Sequence, residues 1–233
     1  MLQLVTREIT LADWIAMAWF LACWIGYGWL AERAHASARG LVGLGHRYRV
    51  AWARQMLARE VRIVDSALVG NLMTSVSFYA NTTIYIIAGL MAVLGTMDKA
   101  ISVTADLPFA RETGRELWEI KLLVLLGVFV FAYFKFTWAL RQFNLLSILI
   151  GAAPPPAAPD AERESFAEKV AAVNTLSGDE FNRGIRAYYF GLSALAWFIH
   201  PWLFAAVTTL IVLVLYRRDY ASRTLETLRQ GVP

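Results

Sequence analysis

The side chains that could carry out chemistry in this sequence are polar groups placed on long apolar segments. Lys135 lies within an apolar run shortly before Arg141, and Asp65 precedes another apolar run at a comparable depth. An intramembrane charge marks either an ion-binding site or a structural ion pair, because hydrocarbon does not solvate it. Lys135 could also extend its ammonium group to the membrane surface, but we expect it to pair with Asp65. Two further polar candidates on these segments are Gln142 and His200.

A second group of candidates forms a stripe of hydroxyl and amide side chains along one segment. At 3.6 residues per turn these side chains project into one arc of a helix, and the remaining arc is aliphatic. Such a stripe either makes hydrogen bonds between helices or lines a pore. We expect it to face protein or a water path, because lipid cannot hydrogen-bond amides. The members of this polar stripe are Asn71, Thr74, Ser75, Asn81, Thr82 and Tyr85.

Metal and catalytic motifs are missing from the sequence. The single cysteine, Cys23, excludes a disulfide framework and a zinc cluster. The three histidines do not have the spacing of a ligand pair, and no nucleophile motif or phosphate-binding loop is present. We therefore predict no catalytic residue, no metal site and no cofactor.

The elements that hold these residues are apolar segments long enough to cross a bilayer. Of the 233 residues, 58% are hydrophobic and only 17% are charged, whereas soluble domains carry about 25% charged residues. A run of about 20 apolar residues spans the hydrocarbon as a helix. Four spans are predicted, over residues 11–31, 69–95, 120–140 and 187–216. The fourth contains Pro201, and we expect one kinked helix there rather than two half-helices.

Two segments between the spans have their own character. Residues 46–68 have a basic arc opposite an apolar arc, which predicts an amphipathic helix lying in the headgroup plane; the alternative is a charged face against another subunit. Residues 151–159 read GAAPPPAAP and predict a proline-rich linker. We expect a single integral-membrane domain over residues 1–233. The candidates for contact with anionic lipid headgroups are Arg47, Arg54, Arg59 and Arg62.

The distribution of arginine predicts how the chain is oriented. Seven arginines lie between the first and second predicted spans, the largest basic block in the sequence. Because short cytoplasmic loops are enriched in Lys and Arg, we expect this block in the cytoplasm. The chain carries a net charge of +4, and its arginines flank apolar runs. We therefore assign them to the lipid bilayer and its anionic headgroups rather than to nucleic acid.

Three strings give the sequence a family resemblance: REVRIVDSALVGNLMTSVSFYANTTI, FAYFKFTWALRQFN and FNRGIRAYYFGLSALAWFIHPWLF. Together they resemble an uncharacterised bacterial integral-membrane family, catalogued as domain of unknown function 599. The likeness extends over residues 12–228. It implies a multi-pass protein of the bacterial inner membrane, and it implies no activity.

The expected architecture is an all-α, four-span transmembrane bundle with a basic amphipathic cytoplasmic helix. A thin bundle with so many polar groups favours a homo-oligomer or a subunit of a larger complex. We favour a homo-oligomeric channel or transporter for small ions or solutes, in which Lys135, Arg141 and His200 bias the path toward anions. The alternatives are a non-catalytic subunit or scaffold of a membrane complex, and a membrane enzyme acting on lipid.

Overall fold

A computed structural model of the chain describes residues 9–36, 40–105 and 114–230. These ranges are helical and contain no β-strand. A 3₁₀ turn, Ala196–Phe198, separates two of the helices. The α-helices are α1 (Leu11–Ala36), α2 (Gly40–Leu57), α3 (Ile63–Gly95), α4 (Met97–Ala105), α5 (Arg115–Gly151), α6 (Asp160–Leu195), α7 (Pro201–Tyr220) and α8 (Arg223–Arg229).

Four segments of the described chain are long and apolar enough to cross a membrane. They are Leu11–Arg33, Ile63–Gly95, Arg115–Gly151 and Pro201–Leu228. This confirms the predicted all-α class with four apolar spans and indicates a membrane protein. At 1.5 Å per residue, α3 and α5 are roughly 50 and 55 Å long, which exceeds the hydrocarbon thickness of about 30 Å.

The chain forms two compact units, each with an aromatic core. The first unit takes its described residues from 1–30, 82–133 and 185–216, and the second from 31–81, 134–184 and 217–233. In the first unit the buried Phe20 ring lies 5.7 Å from Phe190 and 5.1 Å from Phe204, between ring centroids. In the second unit the buried Phe136 ring lies 5.6 Å from Tyr79 and 5.8 Å from Phe181. Edge-to-face and tilted pairs at these distances stabilise a core beyond the area that they bury.

The apolar segment 187–216 contains two helices, which corrects the single kinked helix expected there. Helix α6 ends at Leu195, and α7 begins at Pro201 after the 3₁₀ turn. Proline suits the first position of a helix, since its missing N–H would have no partner there, whereas inside a helix it removes a hydrogen bond. The Nδ1 atom of His200 accepts a hydrogen bond from the backbone N–H of Trp202 at 3.2 Å. His200 therefore caps α7 at its N-terminus.

The segment 46–68 is likewise divided, which corrects the single helix expected there. Helix α2 ends at Leu57, and α3 begins at Ile63. The Arg62 side chain donates hydrogen bonds to the backbone carbonyls of Ala153 and Pro154, at 3.0 and 2.5 Å. The non-helical residues 58–62 are therefore tied to the connection that follows α5. That connection, residues 152–159, corresponds to the predicted proline-rich linker.

Candidate functional site

Lys135 belongs to a chain of four charged side chains in the second unit. Its Nζ atom lies 2.8 Å from Oε2 of Glu180. The other Glu180 oxygen accepts a hydrogen bond from Arg183 at 2.5 Å, and Arg183 contacts Glu32 at 2.9 Å. The Lys135 and Glu180 side chains are only 24% and 10% exposed. Two cations therefore alternate with two anions, and the charge of Lys135 is compensated inside its own chain.

Asp65, the expected partner of Lys135, is engaged elsewhere. One of its oxygens accepts hydrogen bonds from Trp52 Nε1 at 2.9 Å and from Arg59 at 2.8 Å. The predicted pairing of Lys135 with Asp65 is therefore wrong. The true partner, Glu180, was overlooked because its segment is too polar to be predicted as part of a span. The spacing of Glu180 and Arg183, one turn apart on the same helix, was the available signal.

The polar stripe of α3 points away from its own chain. The buried positions of this helix are Asp65, Val69, Val76, Ala80 and Thr83. Their spacing of three, four or seven residues defines one narrow inward face. All stripe residues are exposed except Thr82, which is half-buried. Within the predicted aliphatic arc, Val76 and Ala80 pack inward, whereas Leu72 and Ile84 are exposed.

Hydrogen bonding divides the stripe into two kinds of residue. Thr74 and Ser75 donate their hydroxyl hydrogens to backbone carbonyls one turn earlier, at 3.0 and 3.1 Å. Such bonds satisfy a hydroxyl without any partner from another helix. By contrast, the side chains of Asn71, Asn81 and Tyr85 have no hydrogen-bond partner in the part of the chain that the structure describes. Within the stripe, these three side chains are therefore the ones left without a hydrogen-bond partner in the described chain.

Three of the four arginines predicted to bind headgroups are bonded within the chain. Arg54 pairs with Glu164 at 2.5 Å, and this hydrogen bond lowers the pKa of the Glu164 carboxyl below its usual value. Arg59 holds the buried Asp65, and Arg62 holds the backbone carbonyls after α5. Arg47 is exposed, and it is the one arginine of the four whose side chain makes no bond to the described residues. The four arginines therefore do not act as one uniform basic surface.

The remaining predicted residues do not form a common site. The Arg141 guanidinium lies 5.5 Å from the centre of the Trp138 ring, a cation–π distance. Gln142 has a buried Oε1 atom with no hydrogen-bond partner among the described residues. His200 caps α7, as described above. Within the described ranges no group of three or more His, Cys, Asp or Glu side chains is placed to hold a metal ion.

A buried polar cluster in the first unit was missed from the sequence. Asp13 is buried and accepts hydrogen bonds from Trp197 Nε1 at 2.9 Å and from the Thr10 hydroxyl at 2.5 Å. The Thr10 backbone N–H also donates to the Asp13 side chain, at 3.2 Å, which is the acidic half of a capping box at the start of α1. Lys121 is buried with its Nζ atom 5.6 Å from the centre of the Trp197 ring. The T-x-x-D spacing was the only local signal for this cluster.

Comparison with known proteins gives a family and no activity. A family model described as "Protein of unknown function, DUF599" matches residues 15–224. All three strings singled out in the sequence lie within that match. No curated protein and no solved structure matches the chain. Since the matched range covers most of the 233 residues, the protein belongs to this family of unknown function.

Proposed function

We propose that this protein is a homo-oligomeric membrane channel or transporter for small ions or polar solutes. In this proposal the polar stripe of α3 lies between copies of the chain and borders the conducting path. The observation that carries the proposal is the position of Asn81. Its amide is exposed, has no partner among the described residues, and lies in the middle of an apolar helix.

The depth of Asn81 follows from the length of α3. Asn81 is the nineteenth of 33 residues, so about 27 Å of helix precede it and about 21 Å follow it at 1.5 Å per residue. Both lengths are shorter than the hydrocarbon thickness of about 30 Å. Wherever α3 is placed along the membrane normal, a complete crossing therefore leaves Asn81 inside the hydrocarbon.

An amide at that depth needs a polar partner from outside the chain. An unsatisfied polar group in hydrocarbon costs several kcal/mol. When the excess length of α3 is shared equally between its ends, Asn81 lies near the centre of the bilayer, which lipid headgroups do not reach. A second copy supplies the same amide at the same depth, because symmetric oligomers bring identical surfaces together. Asn side chains hydrogen-bond across membrane helices in this way. With three or more copies around an axis, the same amides also face a water path.

The charge of the path differs from the sequence-based expectation. Residues 66–97, which include most of α3, contain no charged side chain. Lys135, which was expected to favour anions, is neutralised by Glu180. Strong charge selectivity in channels comes from rings of charged side chains. We therefore propose an uncharged polar path that discriminates weakly between anions and cations.

Replacing Asn81 tests the proposal directly. We expect Asn81→Leu to weaken the oligomer, by roughly threefold in dissociation constant for each interhelical hydrogen bond of about 0.6 kcal/mol, and to change ion flux. Thr74→Val is the matched control, because the Thr74 hydroxyl is satisfied within its own helix. Particle mass is measured by light scattering in mild detergent, and flux is measured in reconstituted vesicles.

Two outcomes would contradict the proposal. A monomeric wild-type protein, or an Asn81→Leu protein with unchanged mass and flux, would exclude an oligomer held through this residue. An oligomer that weakens as expected but shows no flux would leave the stripe as an interface only, and a scaffold would then replace the channel.

We also propose that the protein lies in the bacterial inner membrane with α2 on the cytoplasmic side, supported by its arginines and the family resemblance.

A further inference from the structure

The second unit contains an open cavity of about 460 Å³ beside the first turns of α3. We call it the Arg49 cavity. It lies between three helices, and its walls combine apolar, aromatic and polar side chains. The lining residues that matter here are Arg49 and Trp52 from α2, Leu68, Asn71 and Leu72 from α3, and Asn174 from α6.

Three polar side chains in this cavity lack hydrogen bonds. The Nη1 atom of Arg49 is buried and has no partner among the described residues. The amides of Asn71 and Asn174 also have no hydrogen-bond partner in the described chain, although Asn174 is only 7% exposed. Buried polar groups are normally satisfied. The two buried groups, Arg49 Nη1 and the Asn174 amide, therefore indicate a ligand that accepts hydrogen bonds, and the exposed Asn71 amide lies on the same cavity wall.

The other polar atoms of the cavity wall are already satisfied by the protein. The Tyr48 hydroxyl donates to the backbone carbonyl of Leu228 at 3.1 Å, and Trp52 Nε1 donates to Asp65 at 2.9 Å. These two side chains therefore contribute mainly ring surface to the cavity. Polar recognition is left to the guanidinium and the two amides.

Gly178 leaves room for the Arg49 guanidinium, and Gly45 lies at ordinary contact distance from it. A Cβ atom at Gly178 would lie 2.7 Å from Nη2 of Arg49, and one at Gly45 would lie 3.5 Å from Nη1. Burial lowers the pKa of Arg49, and the nearby charge of Asp179 partly opposes this shift. The guanidinium is therefore a partly desolvated cation in a fitted position. A charge-assisted hydrogen bond to an anion is stronger in such a place than in water.

The cavity lies where a headgroup would meet the hydrocarbon. Helix α3 exceeds the hydrocarbon thickness by roughly 20 Å. When that excess is shared equally between its ends, the boundary falls about seven residues after Ile63, close to Val69. The apolar wall residues Leu68 and Leu72 are exposed on this turn. An acyl chain can therefore lie along them while a headgroup enters the cavity.

We propose that the Arg49 cavity binds an amphiphile with an acidic phosphate headgroup. Arg49, Asn71 and Asn174 donate hydrogen bonds to the phosphate oxygens, and the acyl chain packs along Leu68 and Leu72. Arginine suits this role because its planar guanidinium matches phosphate geometry. The cavity shares Asn71 with the polar stripe, but Asn81, the residue that carries the channel proposal, lies outside its lining.

The test is a lipid titration of the full-length protein in mild detergent, followed by native mass spectrometry. The probes are phosphatidylglycerol, phosphatidylcholine and inorganic phosphate. We expect wild-type protein to prefer phosphatidylglycerol and Arg49→Gln to bind it about tenfold to a hundredfold more weakly, the range for a hydrogen bond to a charged group. The matched control is Arg47→Gln, because Arg47 is exposed on the same helix outside the cavity. This control should change the affinity less than about twofold.

Two results of the lipid titration would contradict the proposal. Equal losses in Arg49→Gln and Arg47→Gln would indicate a diffuse basic surface and overturn it. Displacement of the lipid by millimolar inorganic phosphate would mean that the site takes free phosphate rather than an amphiphile. Should Arg49→Gln fail to fold, Asn71→Leu decides, with an expected loss of about fivefold; no loss would overturn the site. Unchanged lipid affinity in Asn81→Leu separates this test from that of the channel.

Discussion

Glu180 contacts two cations, Lys135 and Arg183. Replacing Glu180 and replacing Lys135 should therefore reduce the stability of the protein by different amounts. Lys135→Met leaves Glu180 with its hydrogen bond to Arg183. Glu180→Gln removes the carboxylate that both Lys135 and Arg183 contact. We therefore expect the substitution of Glu180 to destabilise the protein more than the substitution of Lys135.

The magnitudes follow from burial and from the bonds that remain. Removing one partner of a buried ion pair costs about 3–5 kcal/mol, and the partial exposure of Lys135 points to the lower end of this range. We expect Glu180→Gln to cost about 3 kcal/mol. Lys135→Met should cost about 1–2 kcal/mol, the value of one hydrogen bond to a charged group. The double variant should fall short of the sum by at least about 1 kcal/mol, because the residues are in direct contact.

The assay is reversible unfolding in mixed detergent micelles, followed by tryptophan fluorescence. Glu164→Gln is the matched control, since it removes an ion pair whose Arg54 and Glu164 side chains are 56% and 44% exposed. Such an exposed pair contributes little to stability, so Glu164→Gln should unfold much like the wild-type protein. Additive single effects would refute the coupling, and an equal cost for both single substitutions would refute the central role of Glu180.

Two further predictions concern packing and orientation. Gly184→Ala should lower the free energy of unfolding by about 1–3 kcal/mol, because its Cβ would lie 2.7 Å from Cδ1 of the buried Phe136 ring. The control is Gly89→Ala, which should not destabilise the protein, since nothing lies within 4 Å of a Cβ there. Equal unfolding midpoints for the two variants in the same assay would contradict this account. A cysteine at Arg47, in a background with Cys23→Ser, should resist a membrane-impermeant thiol reagent in intact cells. Ready labelling would place α2 on the outer side.

The spans were predictable because the length of an apolar run can be read from the local sequence. Some helix ends were not predictable, because they depend on polar contacts with other parts of the chain. Hydropathy located the first three spans, but the fourth predicted segment, 187–216, starts inside α6, which begins at Asp160. The first part of α6 mixes acids with apolar residues, so no apolar run marks it. Proline suits both the start of a helix and a kink inside a transmembrane helix. Its presence at position 201 therefore did not decide between two helices and one kinked helix.

The candidate residues were predictable as a set, but their partners were not. Periodicity identified the two arcs of α3, but it did not show which arc is buried. The small side chain of Ala80, beside Val76, allows close packing of the aliphatic side, and both residues are buried. The partner of Lys135 lies 45 residues away along the chain. Such a pairing depends on how helices pack, which the sequence pattern of one helix does not contain.

The order of synthesis gives the Lys135–Glu180 pair a consequence for membrane insertion. Lys135 leaves the ribosome 45 residues ahead of Glu180, so α5 reaches the membrane before the counter-ion has emerged from the ribosome. A lysine at the centre of an inserting helix costs about 2.5–3.5 kcal/mol on the scale measured for the translocon. The segment that carries it, Arg115–Gly151, is the most apolar of the four candidate spans. The surplus of apolar residues in α5 thus serves biogenesis, since it offsets a charge that the folded protein later neutralises.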